Sequence, residues 1–128
     1  MKSATDILVI DDQLEHRLLI EELLEAGGYR VRSFGSGEEA LCYLKSNRPG
    51  LIICDIRMPG MDGFEVLEAI KSDYPDIGIV MLTGDGDSEA VREAFRMGAD
   101  EFITKPIDSE ELLLVVERVI WQFAALLN

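Results

Sequence analysis

Short apolar segments alternate with helical patterns along the chain, and this alternation restricts the possible folds more than any other feature. Residues 7–10 and 51–54 contain no polar side chain, which is typical of strands buried on both faces of a parallel sheet. The other predicted strands cover residues 29–34, 77–82 and 101–104. Helices are predicted over about 13–26, 37–46, 63–72 and 88–97, and from 109 almost to 128.

Strands that are joined through helices run parallel, because each helical crossover carries the chain back to the edge of the sheet where the previous strand began. Right-handed crossovers then cover both faces of the sheet with helices. The sequence therefore predicts an α/β fold, a doubly wound (βα)5 sandwich. The flavodoxin-like strand order 2-1-3-4-5 is expected for its five-stranded parallel sheet.

Polar side chains follow four of the five predicted strands. Asp11 and Asp12 follow the first strand and Asp55 the third, while Thr83 and Lys105 follow the fourth and the fifth. Ligands of open α/β sheets bind at the carboxyl ends of the strands, in the crevice where the strand order reverses. We therefore expect three carboxylates, one hydroxyl and one ammonium group to converge there.

This set of groups suits a metal-assisted reaction of a phosphoryl group. Carboxylates that lie close together raise each other's pKa values unless a cation neutralises them. Oxygen ligands favour Mg²⁺ or Mn²⁺, and a half-open site suits Mg²⁺ best. A carboxylate can also attack phosphorus and form an acyl phosphate. In such a site, Lys105 could neutralise the phosphoryl group and the Thr83 hydroxyl could donate to one of its oxygens.

These residues resemble one known family, the CheY-like receiver domains of response regulators. The resemblance rests on Asp11-Asp12, the segment 55–63 (DIRMPGMDG), Thr83-Gly84 and Lys105-Pro106. It covers essentially the whole chain, so residues 1–128 are expected to form a single receiver domain, either complete or taken from a longer regulator. The segment 57–60 (RMPG), together with 83–86 (TGDG), is most similar to receivers of nitrogen-control and nitrogen-fixation regulators.

The resemblance implies a His-Asp phosphorelay. Asp55 would accept a phosphoryl group from the phosphohistidine of a sensor kinase or phosphotransfer protein. Asp12 would bind Mg²⁺ directly, Asp11 would hold a metal-bound water, and the backbone carbonyl of Arg57 would complete the metal ligands. Such a domain is an enzyme only in a limited sense, because it phosphorylates and dephosphorylates itself.

The resemblance also implies a conformational switch. Thr83 would move toward the phosphoryl group, Lys105 would pair with it, and the aromatic ring of Phe102 would rotate into the vacated space. Pro106 would follow a cis peptide bond. The surface of the fourth helix, fifth strand and fifth helix would change shape and be recognised by a partner. Phe102 could instead be an ordinary core residue.

Three further side chains near the expected site allow more than one interpretation. An Arg57–Asp85 contact across the pocket mouth would limit the attacking water, although both could simply be solvated charges. His16 is expected to be a solvated residue of the first helix that could touch a kinase.

The last helix carries two apolar stripes. Leu112, Val115, Val116, Val119 and Phe123 are expected to pack on the sheet. We expect the second stripe to meet a partner, either a second copy or an output domain, although it could also turn inward as core. Its members are Leu113, Ile120, Trp121, Ala124 and Leu127.

Charge and cysteine content restrict the partners and the compartment. The net charge of −13 argues against binding of nucleic acid or an anionic membrane by this chain itself. Its apolar runs are too short for a membrane span, and no signal peptide is visible. Cys42 and Cys54 are predicted to be two buried thiols, which suits a reducing, cytoplasmic location.

Three other functions remain open at this stage. A degenerate receiver would signal by binding alone, although the presence of all the site residues disfavours it. A phosphatase or phosphotransferase with an aspartate nucleophile would carry a second acid two residues later, where this chain has Arg57. Flavin binding would require a hydroxyl-rich phosphate loop after the first strand, where Asp11 and Asp12 stand instead.

Overall fold

A computed structural model describes residues 5–84 and 86–127, with side chains up to residue 125. The strands are β1 (Asp6–Ile10), β2 (Arg30–Phe34), β3 (Leu51–Asp55), β4 (Gly78–Thr83) and β5 (Glu101–Thr104). The helices are α1 (Leu14–Ala26), α2 (Gly37–Leu44), α3 (Gly63–Asp73), α4 (Ser88–Arg96) and α5 (Ser109–Leu127). Every predicted element is present, with ends shifted by two residues at most.

The five strands form one parallel sheet in the order β2-β1-β3-β4-β5, which confirms the predicted doubly wound topology. Successive side chains of each strand point to opposite faces, so each strand supplies both halves of the core. Leu8 and Ile10 pack on the face covered by α2, α3 and α4. Ile7 and Val9 pack on the opposite face, against α1 and α5.

Side-chain caps explain where two of the helices begin. The hydroxyl of Ser36 accepts a hydrogen bond from the backbone N–H of Glu39 at the start of α2. Asp62 and Glu65 form a capping box at the start of α3, in which each side chain accepts from the other residue's backbone N–H. These caps hold two helix N-termini at the edge of the sheet where β1 and β3 end.

The last helix has one buried stripe, as predicted, but its second stripe is divided. Leu113 and Ile120 are partly buried against the α1/α5 half of the core, whereas Trp121 is 75% exposed. A methyl group at Gly27 would come within 2.8 Å of Leu113 Cδ2, so α5 lies against the end of α1 as well as against the sheet. The expectation of one continuous unpartnered stripe is therefore wrong. The side chain of Leu127 lies outside the described residues.

The prediction of two buried thiols is half wrong. Cys54 is fully buried in β3, whereas Cys42 is exposed. Ala40 and Leu44 form the buried side of α2, and a residue midway between them points away from that side because the helix turns about 100° per residue. Within the described residues, no helix is both long enough and apolar enough to cross a membrane.

Candidate functional site

The ammonium group of Lys105 lies at the centre of the site. Its Nζ donates to Asp55 Oδ2 at 2.8 Å and to Asp11 Oδ2 at 3.1 Å. It also lies 2.9 Å from His16 Nδ1. Lys105 therefore connects the ends of β1 and β3 with the first helix.

The strand register brings these groups together. Ile10 is paired with Cys54, so the residues that follow them, Asp11 and Asp55, are neighbours at the same edge of the sheet. Lys105 follows β5, and its backbone N–H donates to the carbonyl of Thr83 at 2.9 Å. The predicted convergence is therefore present for the side chains of Asp11, Asp55 and Lys105.

Hydrogen bonds hold the Asp11 carboxylate and its backbone in place. Its Oδ1 accepts from the backbone N–H of Gln13 at 3.0 Å. Its carbonyl oxygen accepts from Arg17 Nη1 at 2.8 Å. Asp11 is fully buried, so this carboxylate depends on these donors and on Lys105 for its polar contacts.

Burial and charge shift the pKa values of two central groups. Burial raises the pKa of Asp55, which is only 6% exposed, and this effect outweighs the hydrogen bond and positive charge of Lys105. Burial alone would lower the pKa of Lys105. The hydrogen bonds and negative charges of Asp55 and Asp11 more than offset that effect, so the pKa of Lys105 is raised. Lys105 is thus held in its charged form at neutral pH.

Three carboxylates in the site could hold a cation. Asp11, Asp12 and Asp55 each offer an oxygen atom, and these atoms lie within 4.8 Å of one another. Asp12 is exposed whereas the other two are buried, so the cluster opens to solvent on one side. This all-oxygen, half-open donor set fits Mg²⁺, which keeps several waters and accepts few protein ligands.

Arg57 contacts the site through its backbone and a neighbouring helix through its side chain. Its backbone N–H donates to Asp55 Oδ1 at 3.3 Å. Its guanidinium group contacts Asp87 Oδ2 through Nη2 at 3.0 Å and through Nε at 3.3 Å. The predicted partner, Asp85, lies outside the described residues. Asp87 precedes α4, and within the described part of the chain its side chain makes no capping hydrogen bond.

The two expected switch residues lie on neighbouring strands, Thr83 at the end of β4 and Phe102 in β5. Thr83 is buried at the end of β4, and its hydroxyl donates to the carbonyl of Gly84 at 3.4 Å. The ring of Phe102 meets Phe95 of α4 edge-on, with ring centroids 5.7 Å apart. Phe102 also lines a groove of about 310 Å³ together with Gly84, Gly86, Val91 and Thr104, among others. The Lys105–Pro106 peptide bond is cis.

Sequence reasoning missed the contact of His16 with Lys105. A single histidine in an amphipathic helix looks like a solvated residue, and its side chain is in fact 35% exposed. The signal that could have found it is positional, since His16 lies in the first turn of a helix that begins directly after Asp11-Asp12.

Comparisons with known proteins identify the family of this chain. Residues 7–117 match the family described as the response regulator receiver domain. NtrC of Salmonella typhimurium, described as a DNA-binding transcriptional regulator, is 36% identical over 114 residues, which cover 89% of this chain and 24% of NtrC. NtrX of Azorhizobium caulinodans, a nitrogen assimilation regulatory protein, is 36% identical over 119 residues, covering 91% and 26% of the two chains.

A solved structure has the same fold at similar identity. The receiver domain of NtrX from Brucella abortus superposes with a TM-score of 0.87 at 36% identity, covering 90% of this chain and 98% of that domain. The similarity to nitrogen regulators confirms the resemblance found in the sequence. The chain spans about a quarter of the length of these curated relatives. On this evidence, the chain belongs to the response regulator receiver family of two-component signalling.

Proposed function

We propose that Asp55 is the phosphoacceptor of this receiver domain and takes a phosphoryl group from a phosphohistidine. The observation that carries this proposal is the buried Asp55 carboxylate, 2.8 Å from an ammonium group that also binds Asp11. A nucleophilic oxygen, a cation for the developing charge and further metal-ligating carboxylates are thus adjacent, as phosphoryl transfer requires.

The cofactor of this reaction is Mg²⁺. Asp12 and Asp55 would hold it directly, Asp11 through a water molecule, and Arg57 through its backbone carbonyl. When bound, Mg²⁺ neutralises carboxylate and phosphoryl oxygens that would otherwise repel each other. The cluster of carboxylate oxygens within 4.8 Å of one another supports this assignment.

The transfer exchanges one bond to phosphorus for another. An oxygen of Asp55 forms a bond to phosphorus while the nitrogen–phosphorus bond of the donor breaks, and the electron pair of that bond remains on the donor imidazole. As negative charge passes from the Asp55 carboxylate to the phosphoryl oxygens, the Lys105 ammonium group follows that charge and pairs with those oxygens. Hydrolysis ends the phosphorylated state, because water attacks phosphorus and releases inorganic phosphate and a free Asp55 carboxylate. The domain therefore acts as an enzyme only on itself.

Phosphorylation changes a surface at a distance from Asp55. The added oxygens attract the Thr83 hydroxyl, which at present bonds to Gly84, and the loop after β4 follows. Phe102 then leaves Phe95 and enters the adjoining groove. The α4–β5–α5 surface is thereby altered, and a partner recognises the new shape.

The partners follow from the family and the charge. Receiver domains interact with histidine kinases, so the phosphoryl donor is a sensor kinase or a phosphotransfer protein. The exposed Trp121 side of α5, which includes Ala124, is assigned to an output domain or a second copy. At a net charge of −13, this chain itself does not bind nucleic acid or membranes, so any DNA binding would lie in another domain. Because ATP-dependent kinases supply the phosphoryl group, the domain works in the cytoplasm.

We assign residues 1–128 to one receiver domain, which either acts alone or forms part of a longer regulator. The matched relatives are about four times as long as this chain, which supports the second arrangement.

Intact-mass measurement tests the proposed chemistry. The protein is incubated with Mg²⁺ and a small acyl-phosphate donor, and Asp55→Asn is treated in the same way. One phosphoryl adduct is expected on the wild type, and none on Asp55→Asn or without Mg²⁺. An equal adduct on Asp55→Asn would show that another residue is the acceptor. A folded wild type that stays unmodified with a kinase donor as well would favour a receiver that signals by binding alone.

A further inference from the structure

The Lys105 ammonium group has three N–H bonds, and three acceptors stand around it. Two are the carboxylates of Asp55 and Asp11, at 2.8 and 3.1 Å. The third is the imidazole of His16, whose Nδ1 lies 2.9 Å from Nζ. Each of the three N–H bonds of Lys105 therefore has an acceptor within hydrogen-bond distance.

This geometry sets the direction of the hydrogen bond between the two side chains. A lysine ammonium group only donates hydrogen bonds, so Nδ1 of His16 accepts from Nζ. The same nitrogen lies 3.4 Å from Asp11 Oδ2, so His16 stands beside both members of the Lys105–Asp11 pair. The side chain of His16 is 35% exposed, so its Nε2–H can be satisfied by solvent.

We propose that His16 is a positioning residue that holds the Lys105 ammonium group beside Asp55 during phosphoryl transfer. This inference rests on the proposed function. Both carboxylates have a second role in that reaction, since Asp55 becomes an acyl phosphate and Asp11 belongs to the carboxylate cluster that would hold the cation. His16 is not part of that cluster, so its contact with Lys105 is the one that can persist throughout the reaction.

Losing this contact would free a long side chain at the reacting atoms. Lysine has many rotamers, and an acceptor that restricts them pre-organises the charge for the transition state. A net hydrogen bond of ordinary strength corresponds to about a 2- to 12-fold change in rate. The loss is expected at saturating phosphoryl donor, because the contact acts on the transferring group rather than on binding of the donor.

The kinetic test compares His16→Leu and His16→Gln with the wild type, each also combined with Lys105→Met. A small acyl-phosphate donor is used, so that no partner protein docks on α1. His16→Leu is expected to lower the saturated rate about 2- to 12-fold. His16→Gln should restore part of it, since its amide oxygen can accept from Nζ. In the Lys105→Met background, His16→Leu should have no further effect, because the two residues act as one unit. Glu15→Ala, a neighbouring exposed position, is the control.

A spectroscopic test needs no turnover. The chain has one histidine, so every imidazole ¹⁵N signal belongs to His16. The neutral ring is expected to carry its proton on Nε2, and the Nδ1 shift should change in Lys105→Met but not in Glu15→Ala. A proton on Nδ1, or an Nδ1 shift that ignores Lys105→Met, would overturn the proposal.

The rates can overturn it separately. Equal saturated rates for His16→Leu and the wild type would do so, as would an undiminished effect of His16→Leu in the Lys105→Met background. If the wild type takes no phosphoryl group at all, the proposed function fails instead, and the Nδ1 shift alone decides whether His16 holds Lys105.

Discussion

Replacing Gly63 by alanine should damage both the fold and the site, although it adds only one methyl group. Gly63 is the first residue of α3, and its N–H donates to the Ile56 carbonyl at 2.8 Å. The added Cβ would lie 2.3 Å from the carbonyl oxygen of Asp55 and 2.6 Å from the Cα of Ile56. Both are backbone atoms, so no side chain can rotate away to make room.

The size of the effect follows from these distances. Real Cβ atoms essentially never approach other atoms closer than 3.0 Å, so helix and strand end must separate by about 0.7 Å, the difference between 3.0 and 2.3 Å. Overpacking of this kind destabilises a folded protein by about 1–3 kcal/mol and sometimes more. Replacing glycine by alanine also lowers the conformational entropy of the unfolded chain, which stabilises the fold by about 0.4–1 kcal/mol. We expect a net loss of about 2 kcal/mol, which lowers Tm by roughly 8 °C in a domain of this size. Because Asp55 itself is displaced, its phosphorylation should also slow by up to about 100-fold.

Gly37→Ala is the matched control. Gly37 is also the first residue of its helix, α2, but its added Cβ would meet the side chains of Val66 at 2.6 Å and Met61 at 2.9 Å. Side chains can adjust, so a smaller loss of stability and a nearly normal phosphorylation rate are expected. Urea unfolding and intact-mass kinetics measure the two quantities. The steric reasoning would be refuted if Gly63→Ala were as stable as Gly37→Ala and accepted phosphate at the wild-type rate.

Three further predictions concern separate groups. Burial, and to a lesser extent the nearby negative charges, raises the pKa of the Cys54 thiol far above its usual range. A thiol reagent should therefore modify the exposed Cys42 quickly and Cys54 only after unfolding. Rapid modification of both thiols in the native protein would contradict this. Burial raises the pKa of Asp55 in the folded protein, so the metal-free folded state binds a proton at this carboxylate more tightly than the unfolded state does. The stability of the wild type relative to Asp55→Asn should therefore rise as the pH falls through the folded pKa. Parallel stability curves for the two proteins from pH 7 to 4 would exclude this effect. The ion pair between Arg57 and Asp87 joins the loop after β3 to the start of α4. Arg57→Ala and Asp87→Ala should therefore change the acyl-phosphate lifetime in the same direction, and the double variant should show less than the sum of the two effects. Additive effects in the double variant would show that the ion pair has no role.

The sequence was sufficient for the fold and for the main groups of the site because both depend on local patterns. Apolar runs mark buried strands, and in a parallel sheet the residues that follow them must meet at one edge. Asp11, Asp55 and Lys105 could therefore be brought together without knowing any side-chain direction.

Details that depend on side-chain direction could not be predicted. The Arg57 guanidinium group binds Asp87, and the spacing of charged residues in the sequence does not reveal that pairing. Leu113 turns inward because α1 lies beside α5, which is a property of the packed helices rather than of the helical pattern. The contact of His16 with Lys105 was missed for the same reason, since the two residues lie 89 positions apart in the chain.

The Lys105–Asp11 contact also has a consequence for how the protein is made. It joins residues 94 positions apart, one after the first strand and the other after the last. During synthesis on the ribosome, the first four βα units emerge before Lys105 does, and until β5 has docked, the acidic cluster lacks its lysine. Under the proposed function, a nascent or truncated chain thus carries the phosphoacceptor Asp55 without the ammonium group that contacts it. We therefore expect a chain that ends before Lys105 to accept a phosphoryl group more slowly than the domain with β5 in place.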